Sequence, residues 1–258
     1  MDKKNIGILG YGQIGQGIQL CHSLSKFKLY INDAKQNYHQ GFRHCKILNI
    51  CIPFKNYDDF FKAIKPHLQE LVTDDPNKHV IIHSTVSPGT CDKINDYIQK
   101  YKLGIHLYYS PVIGKHPYLF NSLQTFKKHL GTYKDDNNEI KLYFKELGIN
   151  IGLITTPKTL ELSKVLSTSY YGICIAYMKE VQALCAKYNV SFDEVYTKWN
   201  TNYNEGYSKF GDTKFIRPVL TPSIEKSIGG HCVVPNVNLV DFQETDSEWI
   251  KIGITKFV

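Results

Sequence analysis

No run among the 258 residues approaches the roughly 18 consecutive apolar residues that a membrane-spanning helix needs. The amino terminus, Met-Asp-Lys-Lys-Asn, lacks the apolar stretch and small-residue cleavage site of a signal peptide. Seven cysteines, at 21, 45, 51, 91, 174, 185 and 232, contain no C-x-x-C pair and no metal-type spacing. An odd, scattered set argues against a disulfide framework and against a zinc site, so reduced thiols, a cytoplasmic location and no metal are expected. There is no internal repeat, no low-complexity segment and no basic run of the kind that tracks nucleic acid. The excess of 31 Lys and Arg over 24 Asp and Glu, a net charge of +7, suits an anionic small ligand better than a duplex.

What is present is an alternation. Residues 5–9, 28–32, 47–52, 80–84 and 105–109 read as short strands punctuated by Gly, Pro, Ser or Asp, and residues 149–154 as a last one. Residues 13–26, 57–71 and 138–147 carry apolar positions at helical intervals. Strand and helix in turn imply right-handed crossovers and an α/β fold, a Rossmann-type doubly wound parallel sheet. After Pro157 the pattern changes. Residues 159–188 hold one helical period interrupted only by Gly172, a helix about 45 Å long at 1.5 Å per residue. Ser191 with Glu194 resembles a capping box opening a further helix through Trp199, and residues 235–243 look helical. The division expected is a dinucleotide-binding domain over 1–156 and a smaller helical domain over 157–258.

Gly10-Tyr11-Gly12-Gln13-Ile14-Gly15 stands between a strand and a helix, the context that gives a G-x-G-x-x-G match its meaning. Gly10 permits the tight turn, Gly12 lets the backbone approach a pyrophosphate, and Gly15 lets helix and strand pack closely. The amides of Gln13 and Ile14 open the helix, whose amino end favours an anion. Asp33, about 20 residues on, can accept from the adenosine ribose hydroxyls and favours NAD, with Lys35 and Arg43 near enough to temper that preference. A second turn, Ser84-Thr85-Val86-Ser87-Pro88-Gly89-Thr90, leaves a buried strand on the same side. Ser84 and Thr85 can hold the nicotinamide, a substrate oxygen or a water there, or Ser87 or Thr90 simply caps the next helix.

Together these turns resemble the UDP-glucose/GDP-mannose dehydrogenase family, whose first domain carries an S-T-V-x-P-G-T turn. The resemblance continues through Ser110-Pro111, through Glu161 and Lys164 of an E-x-x-K helix, and to Gly229-Gly230-His231-Cys232. It implies oxidation of an alcohol to an acid with NAD: Cys232 captures the aldehyde as a thiohemiacetal, a second NAD takes the second hydride, and the resulting thioester is hydrolysed. Lys164 supports the chemistry as a cation, with Thr85 and Thr168 beside it. Gly229, Gly230 and Asn236 contact substrate, and His231 is a loop residue. The residues alone leave Cys232 equally readable as a small buried group and Lys164 as a surface lysine.

Five departures accompany the resemblance. Val112 stands where the family has an acid, Thr168 where it has asparagine, and Asn236 where it has aspartate. Lys55 follows Asp33 by only 22 residues, so one helix and strand are lost, and the chain stops 26 residues after Cys232, short of a third, nucleotide-binding domain. Two other readings therefore stand beside the first: a catalytically impaired NAD-binding protein with a structural or sensing role, and a one-step hydroxy-acid dehydrogenase relying on Lys164. A small-molecule alcohol or sugar, possibly nucleotide-linked, is the expected substrate. A homodimer is expected because the long helix is apolar over more surface than the region after it can cover.

Overall fold

The structure, a computed structural model, describes residues 4–23, 25, 27–72, 77–114, 117–135, 137–222, 228, 233–241 and 248–256. The chain divides into two compact units, Met1–Lys164 and Val165–Val258. Among the described residues, no helix is long and apolar enough to cross a membrane.

The first unit is built on an eight-stranded sheet in the order β3-β2-β1-β4-β5-β6-β7-β8. Its elements in chain order are β1 (Asn5–Leu9), α1 (Gln13–His22), β2 (Lys28–Asp33), β3 (Tyr38–His39), β4 (Ile47–Ile50), α2 (Tyr57–Leu71) and β5 (Lys78–Ile82). There follow α3 (Thr90–Lys100), β6 (Ile105–Tyr109), α4 (Leu119–Thr125), β7 (Lys128–Thr132), α5 (Asn138–Glu146) and β8 (Ile151–Thr155). All pairings are parallel except β2 with β3 and β6 with β7. The doubly wound Rossmann-type architecture expected from the alternation is present.

Every residue of β4 and β5 is buried, as befits strands covered by helices on both faces. Strand alternation sends the two sets of side chains to separate cores. Leu48, Ile50, Val80 and Ile82 pack with Phe60, Ile64, Ile94 and Ile98 of α2 and α3. Ile6, Ile8, Ile47 and Ile81 pack with Ile18, Leu119, Tyr143 and Phe144 on the side of α1, α4 and α5.

A polar chain runs through that second core. Asn49 and His83 take the alternate positions beside Ile47 and Ile81, and both are fully buried. Asn49 Nδ2 donates to Gly7 O at 3.2 Å and to Tyr143 Oη at 3.0 Å, while Tyr143 Oη lies 3.1 Å from His22 Nε2. His83 Nε2 lies 2.9 Å from Asn49 Oδ1 and its Nδ1 3.0 Å from Ser110 O. The buried Lys128 donates to the same Ser110 O at 2.6 Å and to Pro111 O at 3.2 Å. Burial holds His22 down at about 4, lowers His83 well below the usual histidine range with Lys128 adding to the effect, and brings Lys128 down to about 7.

The sequence reading omitted β3, α4 and β7. In β7 the run Lys-His-Leu-Gly-Thr carries charge where a buried strand is expected to be apolar, and the carbonyls of Ser110 and Pro111 are what make Lys128 tolerable there. The β3 ribbon is two residues long and antiparallel, standing after β2 in the sheet where a further crossover unit was expected to be lost.

In the second unit α6 (Pro157–Tyr188), which begins in the first, continues without a break through Gly172. That glycine is a packing position. A Cβ there would stand 2.6 Å from Val233 Cγ1 and 2.9 Å from Ile254 Cδ1, so its absence lets α8 (Val233–Val237) and α9 (Glu248–Thr255) close on the helix. Ala176, Ile228, Val233, Val237 and Ile254 form the core of this unit. Ser191 does act as a cap, accepting from Glu194 N at 3.4 Å, but the chain enters a π-helical turn at Asp193–Lys198 before α7 (Trp199–Lys209). The helix expected over 235–243 starts two residues earlier and ends at Val237.

Lys128 sets a testable pH dependence. Between about 7 and its ordinary 10.5, the unfolded chain keeps a proton that the folded chain has released. Stability should therefore rise with pH in that interval, by up to about 1.4 kcal/mol per unit. Urea unfolding between pH 7.5 and 8.5 avoids both histidine titration and the thiols of Cys45 and Cys51, whose burial acts in the opposite direction at higher pH. Lys128→Met should flatten the profile; an unchanged slope would show that another group carries it.

Candidate functional site

Strand β1 has β2 on one side and β4 on the other, so the winding of the sheet reverses there, and ligands of open α/β sheets gather outside the carboxyl ends at such a point. The glycine turn leaves β1 at that place. Gly10 has φ +93°, and a Cβ on it would meet the Cys51 and Ile52 backbone at 2.8 Å. A Cβ on Gly15 would stand 2.1 Å from Gly10 O, a contact relieved only by pushing α1 off β1. Gly12 differs from both, because nothing lies within 4 Å of the Cβ it lacks. It is the N-cap of α1, without a capping side chain and with no acid in the first turn. Two glycines are thus required by packing, and the third faces open space at an uncapped helix start. That combination fits a pyrophosphate resting on the amides that open the helix, Gln13 and Ile14 among them.

Asp33 ends β2 beside this turn. Its Oδ2 accepts from Tyr11 N at 2.6 Å, and its Oδ1 from Lys35 N at 2.8 Å and Gln36 N at 2.9 Å. Partial burial opposes ionisation, but the three amides and the Lys35 charge outweigh it and hold the carboxyl below its usual range. With three of about four acceptor positions taken, Oδ2 retains capacity for one ribose hydroxyl rather than two. Gln36 Nε2 donates to Tyr11 O at 2.7 Å, and the Tyr11 ring meets Tyr38 edge-on at 5.1 Å, so the β2–β3 ribbon braces the glycine turn.

The buried Ser84 follows β5 and donates through Oγ to Ile52 O at 2.5 Å, tying the turn after β5 to the one after β4. Thr85 is half-buried. The next helix, α3, has Gly89 as its N-cap, with φ +85°, so neither Ser87 nor Thr90 fills the capping role considered for them. A carboxylate some 70 residues away does so instead: Glu161, fully buried on α6, accepts from Gly89 N at 2.6 Å and Cys91 N at 2.8 Å. Sequence reasoning placed Glu161 in the E-x-x-K segment without a role, and no spacing rule relates it to Gly89.

Lys164 lies one turn beyond Glu161, half-buried, and its charge contributes to the lowering of Lys128 after burial itself. Val112 is buried in the second core, beside the Ser110–Pro111 carbonyls held by Lys128. In the second unit Thr168 and Asn236 come together, Asn236 Nδ2 donating to Thr168 Oγ1 at 3.3 Å. The two residues that depart from the family pattern on α6 and α8 are therefore partners of each other. Gly229, Gly230, His231 and Cys232 lie outside the described residues.

No family model matches the chain, and no curated protein matches it. Among solved structures, it is similar to a UDP-D-ManNAc dehydrogenase from Pyrococcus horikoshii, with 17% identity, a TM-score of 0.76 and coverage of 98% of this chain and 68% of that one. A UDP-glucose dehydrogenase from Pyrobaculum islandicum gives 13% identity, a TM-score of 0.73 and coverage of 99% and 68%. A 3-hydroxyisobutyrate dehydrogenase from Salmonella typhimurium gives 16% identity, a TM-score of 0.64 and coverage of 99% and 93%. The resemblance first read from two turns is thus a resemblance of fold over nearly the whole chain, to about two thirds of each nucleotide-sugar dehydrogenase.

Proposed function

We propose that this chain is an NAD-dependent oxidoreductase acting on a CH–OH group, a short member of the nucleotide-sugar dehydrogenase type. The observation that carries the reading is the division of labour in the glycine turn, where Gly10 and Gly15 are closed by packing and Gly12 alone is open. Gly10, Gly12, Gln13, Ile14 and Gly15 would hold the pyrophosphate, Asp33 the adenosine ribose, and Ser84 the nicotinamide side. NAD would supply the hydride acceptor, one molecule for the alcohol and a second for the aldehyde captured by the thiol. Lys164 presents a fixed cation to the substrate oxygen, and Thr85 and Thr168 offer hydroxyls. Cys232 is the nucleophile, its sulfur bonding to the aldehyde carbon, with Gly229, Gly230 and Asn236 around the substrate. With Val112 in place of an acid, no carboxylate of that segment activates the water that must release the thioester.

A second reading is a one-step hydroxy-acid dehydrogenase in which Lys164 acts without Cys232. It is supported by the coverage of 93% of the Salmonella 3-hydroxyisobutyrate dehydrogenase. Assembly as a homodimer is part of both readings, since α6 leaves Tyr170, Tyr177 and Tyr188 more than 60% exposed.

Three measurements test this proposal. Calorimetry should show NAD binding more tightly than NADP, and Gly12→Val should weaken NAD binding by roughly 100-fold or more while leaving the melting temperature unchanged, since its side chain projects into open space. Equal affinity for the two cofactors would assign the site to Lys35 or Arg43 instead of Asp33. With NAD and a productive alcohol, a burst of NADH should precede a slow phase, Cys232→Ala should stop oxidation at the aldehyde, and Val112→Glu should accelerate the slow phase. Complete two-step oxidation by Cys232→Ala would exclude the thiol as nucleophile. Oxidation of 3-hydroxyisobutyrate without a burst would select the second reading, and NAD binding without NADH from sugars, polyols or hydroxy acids would select a non-catalytic role. Light scattering at micromolar concentration should give twice the 29.7 kDa chain mass; a monomer would remove the dimer.

A further inference from the structure

We infer that Glu161 is a positioning residue: its carboxylate clamps the opening of α6 to the start of α3 and so fixes where Lys164 stands relative to the turn that carries Ser84 and Thr85. The clamp stands on geometry alone, and only the use made of Lys164 rests on the dehydrogenase reading.

The start of a helix leaves amide N–H groups without intrahelical partners, and they are ordinarily satisfied by a side chain at the N-cap itself. At α3 that position is Gly89, with φ +85° and no side chain, so the local sequence supplies no such acceptor. Glu161 fills the gap with both oxygens, Oε2 on Gly89 N and Oε1 on Cys91 N. A fully buried carboxylate without a paired cation is costly. Here two charge-assisted hydrogen bonds and the positive end of the α3 dipole stand in for a counter-ion. Burial pushes the Glu161 carboxyl upward, and the Cys91 thiol and the two amides pull the other way. Asp92, the nearest other acid in sequence, is engaged elsewhere, accepting from Tyr133 Oη at 2.7 Å and lying 3.6 Å from Lys158 Nζ.

A cap from a neighbouring helix does something a local cap cannot, because it ties two elements together. Leu160, the adjacent residue, packs into the same core as Val86 and Cys91, so the opening of α6 is held by an apolar contact and a polar one side by side. Lys164 follows Glu161 by three residues, about 4.5 Å along the axis and on the same face. Rotation of α6 about its axis would carry Lys164 away from the turn, and the rigid carboxylate clamp is what opposes that rotation. The spacing of E-x-x-K then has a mechanical meaning: the acid anchors and the base, one turn on, is aimed.

Glu161→Gln tests this directly, since the amide keeps one acceptor but turns an NH2 group toward the other backbone N–H. Hydrogen exchange in the peptide spanning residues 84–92 should rise roughly tenfold. The rate of Lys164 acetylation by acetic anhydride across pH 7 to 10 should change by about threefold or more, while NAD affinity stays within about twofold. Glu161→Asp, which keeps both acceptors one methylene short, should fall between wild type and Glu161→Gln and serves if the glutamine variant does not fold. Unchanged exchange at 84–92 would overturn the clamp. Faster exchange with an unaltered Lys164 profile would reduce Glu161 to a helix cap and overturn the positioning role. Neither readout needs turnover, so a Lys164→Ala variant that retained activity would count against the role given to Lys164 in the proposed reaction, and absence of any NADH formation by the unaltered protein would count against the dehydrogenase reading, while either leaves the clamp standing.

Discussion

The point in the first unit where the winding of the sheet reverses depends on how closely α1 is drawn against β1. A single missing methyl sets that distance, because a Cβ on Gly15 would press to 2.1 Å from Gly10 O. Gly10 in turn is pinned by the backbone of residues 51 and 52, so the turn after β1 and the turn after β4 are in contact. Ser84 extends the connection by donating to Ile52 O, which links the turn after β5 as well. The ends of the adjacent strands β1, β4 and β5 are thereby fixed to one another by close packing and one hydroxyl. Open space above Gly12 has meaning only because its neighbours on either side have none.

Much of this architecture was legible because its elements obey a single rule each. The strands Asn5–Leu9 and Ile105–Tyr109 and the helix Tyr57–Leu71 have the bounds expected from apolar run or helical period alone. The rest was hidden where two rules compete. Lys128 and His129 make β7 look like a surface segment, and only the tertiary placement of two carbonyls makes a buried lysine possible there. Gly172 looks like a weak point in a helix, yet its lack of a side chain is what admits Val233 and Ile254. The spacing of Asp33 from the glycine turn gave no sign that its carboxylate accepts from Tyr11 N and closes the turn after β2. The cap on α3 could not be read at all, since Glu161 is distant in sequence and its partners are backbone amides.

The polar chain from His22 through Tyr143, Asn49 and His83 to Ser110 and Lys128 shows how the sheet carries polarity in its interior. Period-two alternation would allow apolar residues at 49 and 83, and their polarity links the helices on one face to the end of β6. Two basic groups meet at one carbonyl, Ser110 O, and burial works against the charge on each. Two adjacent cations in that medium would repel strongly, so the arrangement is stable when at most one of them is charged.

The same constraint acts on the Ser110-Pro111-Val112 turn. In the family the resemblance points to, this turn carries an acid; here it carries a buried valine, with a lysine fastened beneath its carbonyls. A buried valine above a buried lysine leaves the turn without a negative group of its own. The departures at Thr168 and Asn236 belong to the same change of chemistry, since the two residues satisfy each other with a neutral hydrogen bond where the family has an acid.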